Sequence, residues 1–177
     1  MRCFCTPIKA ISLFLVNKIF KGTKPRYFEI KRKLLILAGN KIGEGTKIVG
    51  PVFYTQPFEV GRNCWLGRNF TIYGDGYVSI GDNCDIAPEV VLLTGGHEIG
   101  GRNRRAGNGQ TYSIQIGDGV WIGARSTIGR NSVISNGSVI AACACVMSFV
   151  EQDILVGGVP AELIRRLNSE EDKNRSC

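Results

Sequence analysis

The chain has 177 residues, of which 44% are hydrophobic and 21% charged. That length houses one core rather than two, and the composition excludes a disordered chain. The net charge of +7 is uneven: residues 1–41 hold ten Lys and Arg against Glu29 alone, so the remainder carries two net negative charges.

Residues 1–40 read as a basic, helical N-terminal cap. Within them residues 7–20, with the apolar run AISLFLV between Lys9 and Lys18, predict an amphipathic helix. The run is too short to span a bilayer, and no cleavage site follows it. Packing on the end of the domain is the first expectation, and contact of residues 1–35 with a membrane surface is the second. The positive charge suits a phosphate-bearing partner or an anionic membrane. Nucleic acid is not expected, because no recognition motif accompanies the basic segment and the body of the chain is not basic.

From residue 41 to 156 a period of six takes over. Aliphatic residues recur at Ile42, Ile48, Val60, Leu66, Ile72 and Val78, with Tyr54 filling one slot. The count slips by two and resumes at Ile80, Ile86 and Leu92, and later at Ile116, Ile122, Ile128, Ile134, Ile140 and Val146. Glycine often follows the aliphatic residue, and four places on comes a small or modest one, such as Thr46, Cys64, Cys84, Ser126 or Ser138. Six is neither the helix period nor the strand period, but it fits a short strand plus a corner, repeated. Three units close a triangular coil, and coils stack by parallel pairing about 4.8 Å apart.

Of the seven cysteines, four fall within the repeat. Cys64, Cys84 and Cys143 are expected in slots for small buried residues and Cys145 beside one, while Cys3, Cys5 and Cys177 lie near the ends. That is the usage of a reduced, cytoplasmic chain, with the inner face of the membrane within reach of the N-terminal segment.

The repeat stops at Glu98 and returns after about Ser113. The segment EIGGRNRRAGNGQTYS is a poor core and a good extruded loop over 98–113. His97, the one histidine of the chain, is expected at a corner at the root of this loop. Trp121, in GDGVWIG, is expected in a corner slot. Residues 157–177 are expected to form a turn, a short helix with Pro160 in its first turn and Glu162 beside it, and a tail.

The motifs IGDNCDIAPEVVLLTGGH, IQIGDGVWIGARSTI and VGGVPAELIRRL resemble the hexapeptide-repeat acyltransferases, in the branch that acetylates galactosides, maltose and xenobiotics. The likeness covers residues 40–167, and the loop containing RRAG is most similar to members serving surface-polysaccharide biosynthesis. The resemblance implies a mainly β protein: a left-handed parallel β-helix with an N-terminal capping helix, an extruded loop and a short C-terminal helix. It also implies a homotrimer, acetyl-CoA as co-substrate, no metal and a carbohydrate acceptor. His97 would be the general base, a role an imidazole titrating near 6.5 suits. Trp121, Ala124, Ala142 and Arg165 would contact the co-substrate, with Ala141 beside them. Asp75, Arg102, Arg104 and Arg105 would face the acceptor, the arginines by closing the loop over the cleft.

Some positions depart from the family. Cys143 stands where glycine is frequent, Ser148 where a lysine meets CoA phosphate, and Glu162 where an arginine is common; Arg166, Arg125 and Arg130 are substitutes. The segment around Asp75 is also shorter than in galactoside-type members. Three alternatives follow from the residues: acetyl transfer to an amine or a xenobiotic, an acyl-cysteine at Cys143 or Cys145, and a β-helix kept for contacts alone. A carbonic-anhydrase zinc site, which needs three histidines, is not expected from a chain with one.

Overall fold

A computed structural model describes residues 7–167, so Cys3, Cys5, Cys177 and the expected tail beyond 167 lie outside the described residues. Two helices lead: α1 (Pro7–Phe14), continued by a π-helical turn Leu15–Ile19, and α2 (Pro25–Leu37). Nineteen short strands follow, β1 (Lys41–Ile42) to β19 (Glu162–Arg166), and most are parallel rungs on three faces of a prism.

The six-residue period builds this prism directly. Every third hexad falls on the same face, so like stacks on like. Ile48, Leu66, Ile86, Ile122, Ile140 and Val156 are successive partners on the second face. Tyr54, Ile72, Leu92, Ile128 and Val146 do the same on the third. Almost all are fully buried and form one continuous core. Removing these columns from water is the main stabilising contribution.

The corners explain the polar letters. Asp82 accepts the Arg62 amide at 2.7 Å, Asp118 that of Asp82 at 2.7 Å, and Asn136 that of Asp118 at 2.9 Å. A column of Asx side chains thus bonds each coil to the next. Glycine precedes each donating residue, Arg62, Asp82 and Asp118, because a Cβ on Gly61 would lie 2.2 Å from Oδ1 of Asp82. The serine slots serve the same end: Ser126 Oγ donates to carbonyls of its own and the next coil, at 2.9 Å each. Cys64 and Cys84 are buried free thiols as expected. Cys143 is not: it is exposed at a corner with φ of +62°, and Ala144, four residues after Ile140, fills the slot.

The cap inverts the expected polarity of the first helix. On α1 the buried positions are Lys9 and Ser12, while Ile8, Ile11 and Phe14 are exposed. The cause is the open edge of the first coil, where no further strand supplies partners. Asn17 bonds Val52 as a strand residue would, its amide donating to the carbonyl at 2.8 Å and its oxygen accepting from the N–H at 2.9 Å. Lys9 donates to Thr55 and lies over the Tyr54 ring. From α2, Arg32 donates to Ile42 at 3.1 Å, and Lys31 to Ile48, Val49 and Gly22 at 2.7–2.8 Å. All three faces are closed by side chains.

Lys31 carries a pH signature. It has no exposed surface, and burial pulls its pKa down from 10.5 to about 8. Between these values the unfolded chain binds a proton that the folded chain has released, so stability rises with pH. The rise should run from about pH 8 to about pH 10, where buried Tyr54, its pKa raised by burial, begins to oppose it. Urea midpoints across this window should climb more steeply in the wild type than in Lys31→Met. At neutral pH that variant should be less stable by about 1–3 kcal/mol, from carbonyls left without a donor.

Two segments differ from expectation. The excursion is an ordered antiparallel hairpin, β10 (Gly95–Ile99) with β11 (Ala106–Thr111), which starts three residues before the expected loop. Residues from Glu98 to Ala106 are exposed or half-buried, so no apolar alternation marks the strands in the sequence. At the other end, Glu162–Arg166 is a strand rather than a helix, antiparallel to β18 (Ile154–Gly157). The last coil's edge needs backbone partners that a helix would not supply.

Candidate active site

The hairpin leaves the prism at the corner between the third and first faces, and its root is tied down. Thr94 Oγ1 donates to the Tyr73 carbonyl at 2.9 Å and accepts the Gly76 amide at 3.1 Å. The Tyr112 amide closes the hairpin onto the Thr94 carbonyl at 2.8 Å. The root approaches Gly76 so closely that a Cβ there would lie 1.8 Å from the Tyr112 oxygen. The two-residue slip that the repeat shows before Ile80 therefore holds Asp75 against the hairpin.

The product is an open groove of about 590 Å³ lined by Tyr73, Gly74, Asp75, Gly95, Gly96, His97, Gly109, Gln110 and Thr111. His97 lies on β10 opposite Gly109, rather than at a corner. It is exposed, and its Nδ1 is 3.0 Å from the Gly107 carbonyl oxygen. A carbonyl can only accept, so in the neutral ring Nδ1 carries the hydrogen and Nε2 keeps its lone pair. Glu98 stiffens the arm by accepting from Gln110 at 2.7 Å and Asn108 at 3.2 Å.

Trp121 is not in this groove. It lies on β13 (Trp121–Ile122) on the flat second face, because the residue before a buried aliphatic points outward. Asp85 separates it by one rung from Trp65, and the two rings flank a hollow of about 420 Å³ floored by Ile86, Ala87 and Pro88. Sequence reasoning passed over Trp65, although it too directly precedes a hexad aliphatic, Leu66. The remaining co-substrate candidates follow on the same side. Ala124 and Ala142 are on stacked corners after the second face, where the Cys143 amide donates to the Ala124 carbonyl at 2.9 Å. Arg165 is on β19, opposite Leu155. Arg125 and Arg166 are engaged by Glu89 at 2.7 Å and Glu151 at 3.0 Å.

One chain thus brings His97 and Asp75 together in the groove beside the hairpin, and Trp121, Trp65, Ala124, Ala142 and Arg165 along the second face and the corners that follow it. Arg102, Arg104 and Arg105 form the exposed tip of the hairpin, beyond the Ile99–Ala106 rung, and do not line the groove of their own chain.

A family model described as the hexapeptide repeat of succinyl-transferase matches residues 57–93 and 113–142. The chain is 33% identical over 151 residues to a galactoside O-acetyltransferase of Escherichia coli strain K12, covering 84% of this chain and 74% of the relative. A protein of the same strain named for acetyl transfer in colanic acid biosynthesis is 28% identical, with 83% and 80% covered. Among solved structures, a galactoside acetyltransferase in complex with coenzyme A superposes with a TM-score of 0.80 at 27% identity, over 98% of this chain and 88% of that one. The fold they share is the left-handed parallel β-helix.

Proposed function

The chain belongs to the hexapeptide-repeat acetyltransferases, enzymes that use acetyl-CoA, and from that premise we propose that it acetylates a carbohydrate hydroxyl with His97 as general base. The supporting observation is that His97 lines an open groove with its Nδ1 engaged by Gly107, which leaves Nε2 as the nitrogen available to a substrate. Relatives named for galactoside and colanic acid acetylation support a sugar as acceptor and surface polysaccharide as its setting.

The thioester supplies an activated acyl carbon. Nε2 takes the acceptor's proton as the hydroxyl oxygen attacks that carbon. The carbon–sulfur bond then breaks, and the imidazolium returns the proton to the departing thiolate, so charge and protons balance. The Gly107 carbonyl steadies the ring through both steps by accepting from Nδ1. Asp75, beside the base, is placed to accept a second hydroxyl of the sugar. The indole of Trp121 offers a flat wall to the pantetheine arm, and the alanine corners leave room for it. Arg165 is the cation for the CoA phosphates.

The base and this wall are on different sides of one prism, so the site forms between two copies. In a closed trimer each of three clefts takes His97 from one copy and Trp121 from the next. The hairpin arginines reach the neighbour's side of the cleft.

Acetyl transfer from labelled acetyl-CoA to sugars, amino sugars and oligosaccharides tests the reaction. Transfer to a hydroxyl is the expected result; an amine-only product, or neither transfer nor acetyl-CoA binding, overturns the reading. Co-expression of His97→Ala with Trp121→Ala tests the shared cleft. Random mixing should restore wild-type pairing in about a quarter of the clefts. Activity no higher than that of either variant alone would sink the composite site.

A further inference from the structure

The N-terminal cap leaves a surface that the transfer reaction does not use. Along α1 and its continuation Ile8, Ile11, Phe14 and Ile19 are 49%, 60%, 57% and 55% exposed. Ile8, Ile11 and Phe14 recur at three-residue steps and therefore form one stripe. This face cannot turn inward, because the opposite side is committed to the first coil through Lys9, Ser12, Val16 and Asn17. Soluble surfaces seldom keep several large apolar side chains in a row.

The exposed charge of the cap is mostly positive. Lys18 continues the stripe, and Lys21 and Lys24 follow in the connection to α2. With Arg26 and Lys33 they make five exposed cations among residues 7–40, against Glu29 as the sole acid. Glu29 is itself held by Arg32 and Lys33. Neither Lys18 nor Lys21 has an ion-pair partner among the described residues.

We infer that this face docks the enzyme on an anionic lipid surface, with Ile8, Ile11 and Phe14 entering the headgroup boundary and Lys18, Lys21 and Lys24 meeting lipid phosphates. Among the described residues no helix is long and apolar enough to cross a membrane, so the helix lies in the plane of the interface. A protein partner would need acidic groups to match these cations as well as an apolar groove. An anionic bilayer offers both features at once. The inference stands apart from the chemistry at His97 and places the reaction beside membrane-attached acceptors.

Sedimentation of the full chain with vesicles of phosphatidylcholine alone, or with about one-third phosphatidylglycerol, tests it. Binding should require the anionic lipid and weaken with salt. It should fall by about tenfold or more in Ile11→Glu/Phe14→Glu and in Lys18→Glu/Lys21→Glu. These positions are exposed, so thermal midpoints should not move; Ile11→Ser/Phe14→Ser, which adds no charge, should also bind less. Equal binding to both vesicles, or unchanged binding by the apolar variants, overturns the inference. So does a change of mass by light scattering in the apolar variants without vesicle binding, since the face would then join copies of the chain.

Discussion

His97→Ala should lower acetyl transfer by about 10²–10⁴, the range expected when a positioned general base is lost. The loss should fall on turnover. The side chain is exposed and its one hydrogen bond is to the Gly107 carbonyl, so its removal leaves no buried group unsatisfied and should not change the melting temperature. In the proposed cleft the co-substrate is held by Trp121, Ala124 and Arg165 of the neighbouring copy and not by His97, so affinity for acetyl-CoA should stay near the wild-type value. Turnover by rapid mixing and acetyl-CoA affinity by calorimetry separate the two. A variant that binds poorly but turns over at the normal rate would make His97 a binding residue and leave the base unassigned.

Ile122→Ala should be strongly destabilising. Ile122 is fully buried between Ile86 and Ile140 in the middle of the second-face column. Its neighbours are fixed by strand pairing above and below, so the space cannot collapse. A cost of about 2–5 kcal/mol is expected, which for a chain of this length lowers the melting temperature by about 5–20 °C. Each coil touches only the coils next to it, so a defect here weakens the link between the lower and upper halves. The same truncation at half-exposed Val139 should cost far less. Equal losses at both positions would show that the column does not hold the coils together.

The prism was legible because one letter recurs in one environment. Ile48, Leu66, Ile86 and Ile122 occupy equivalent slots, and a period of six has no other simple reading. His97 was legible as the lone imidazole beside the break. Where partners come from outside the repeat, the letters mislead. Lys9 and Lys31 look like surface residues, yet they are buried because the first coil's carbonyls need donors. Residues 162–166 look helical after Pro160, yet the open edge beside them claims their backbone. The hairpin arm bears no apolar alternation because neither of its sides packs on the core. The placement of Trp65 needs the coil count, since Trp65 and Trp121 are two rungs apart in space and more than fifty residues apart in sequence.

The side-chain donors under the first coil and the reversed strand over the last also set how long this molecule is. A parallel ladder has no internal reason to stop, and each terminal rung could accept another chain's rung. Here the lower rung meets lysine, arginine and asparagine in place of a strand, and the upper rung is filled by the chain's own returning end. Length is thus encoded at the two lids rather than in the repeat. A chain trimmed of residues 7–40 would keep every hexad and lose its lower terminus, leaving a solenoid free to add to itself end on end.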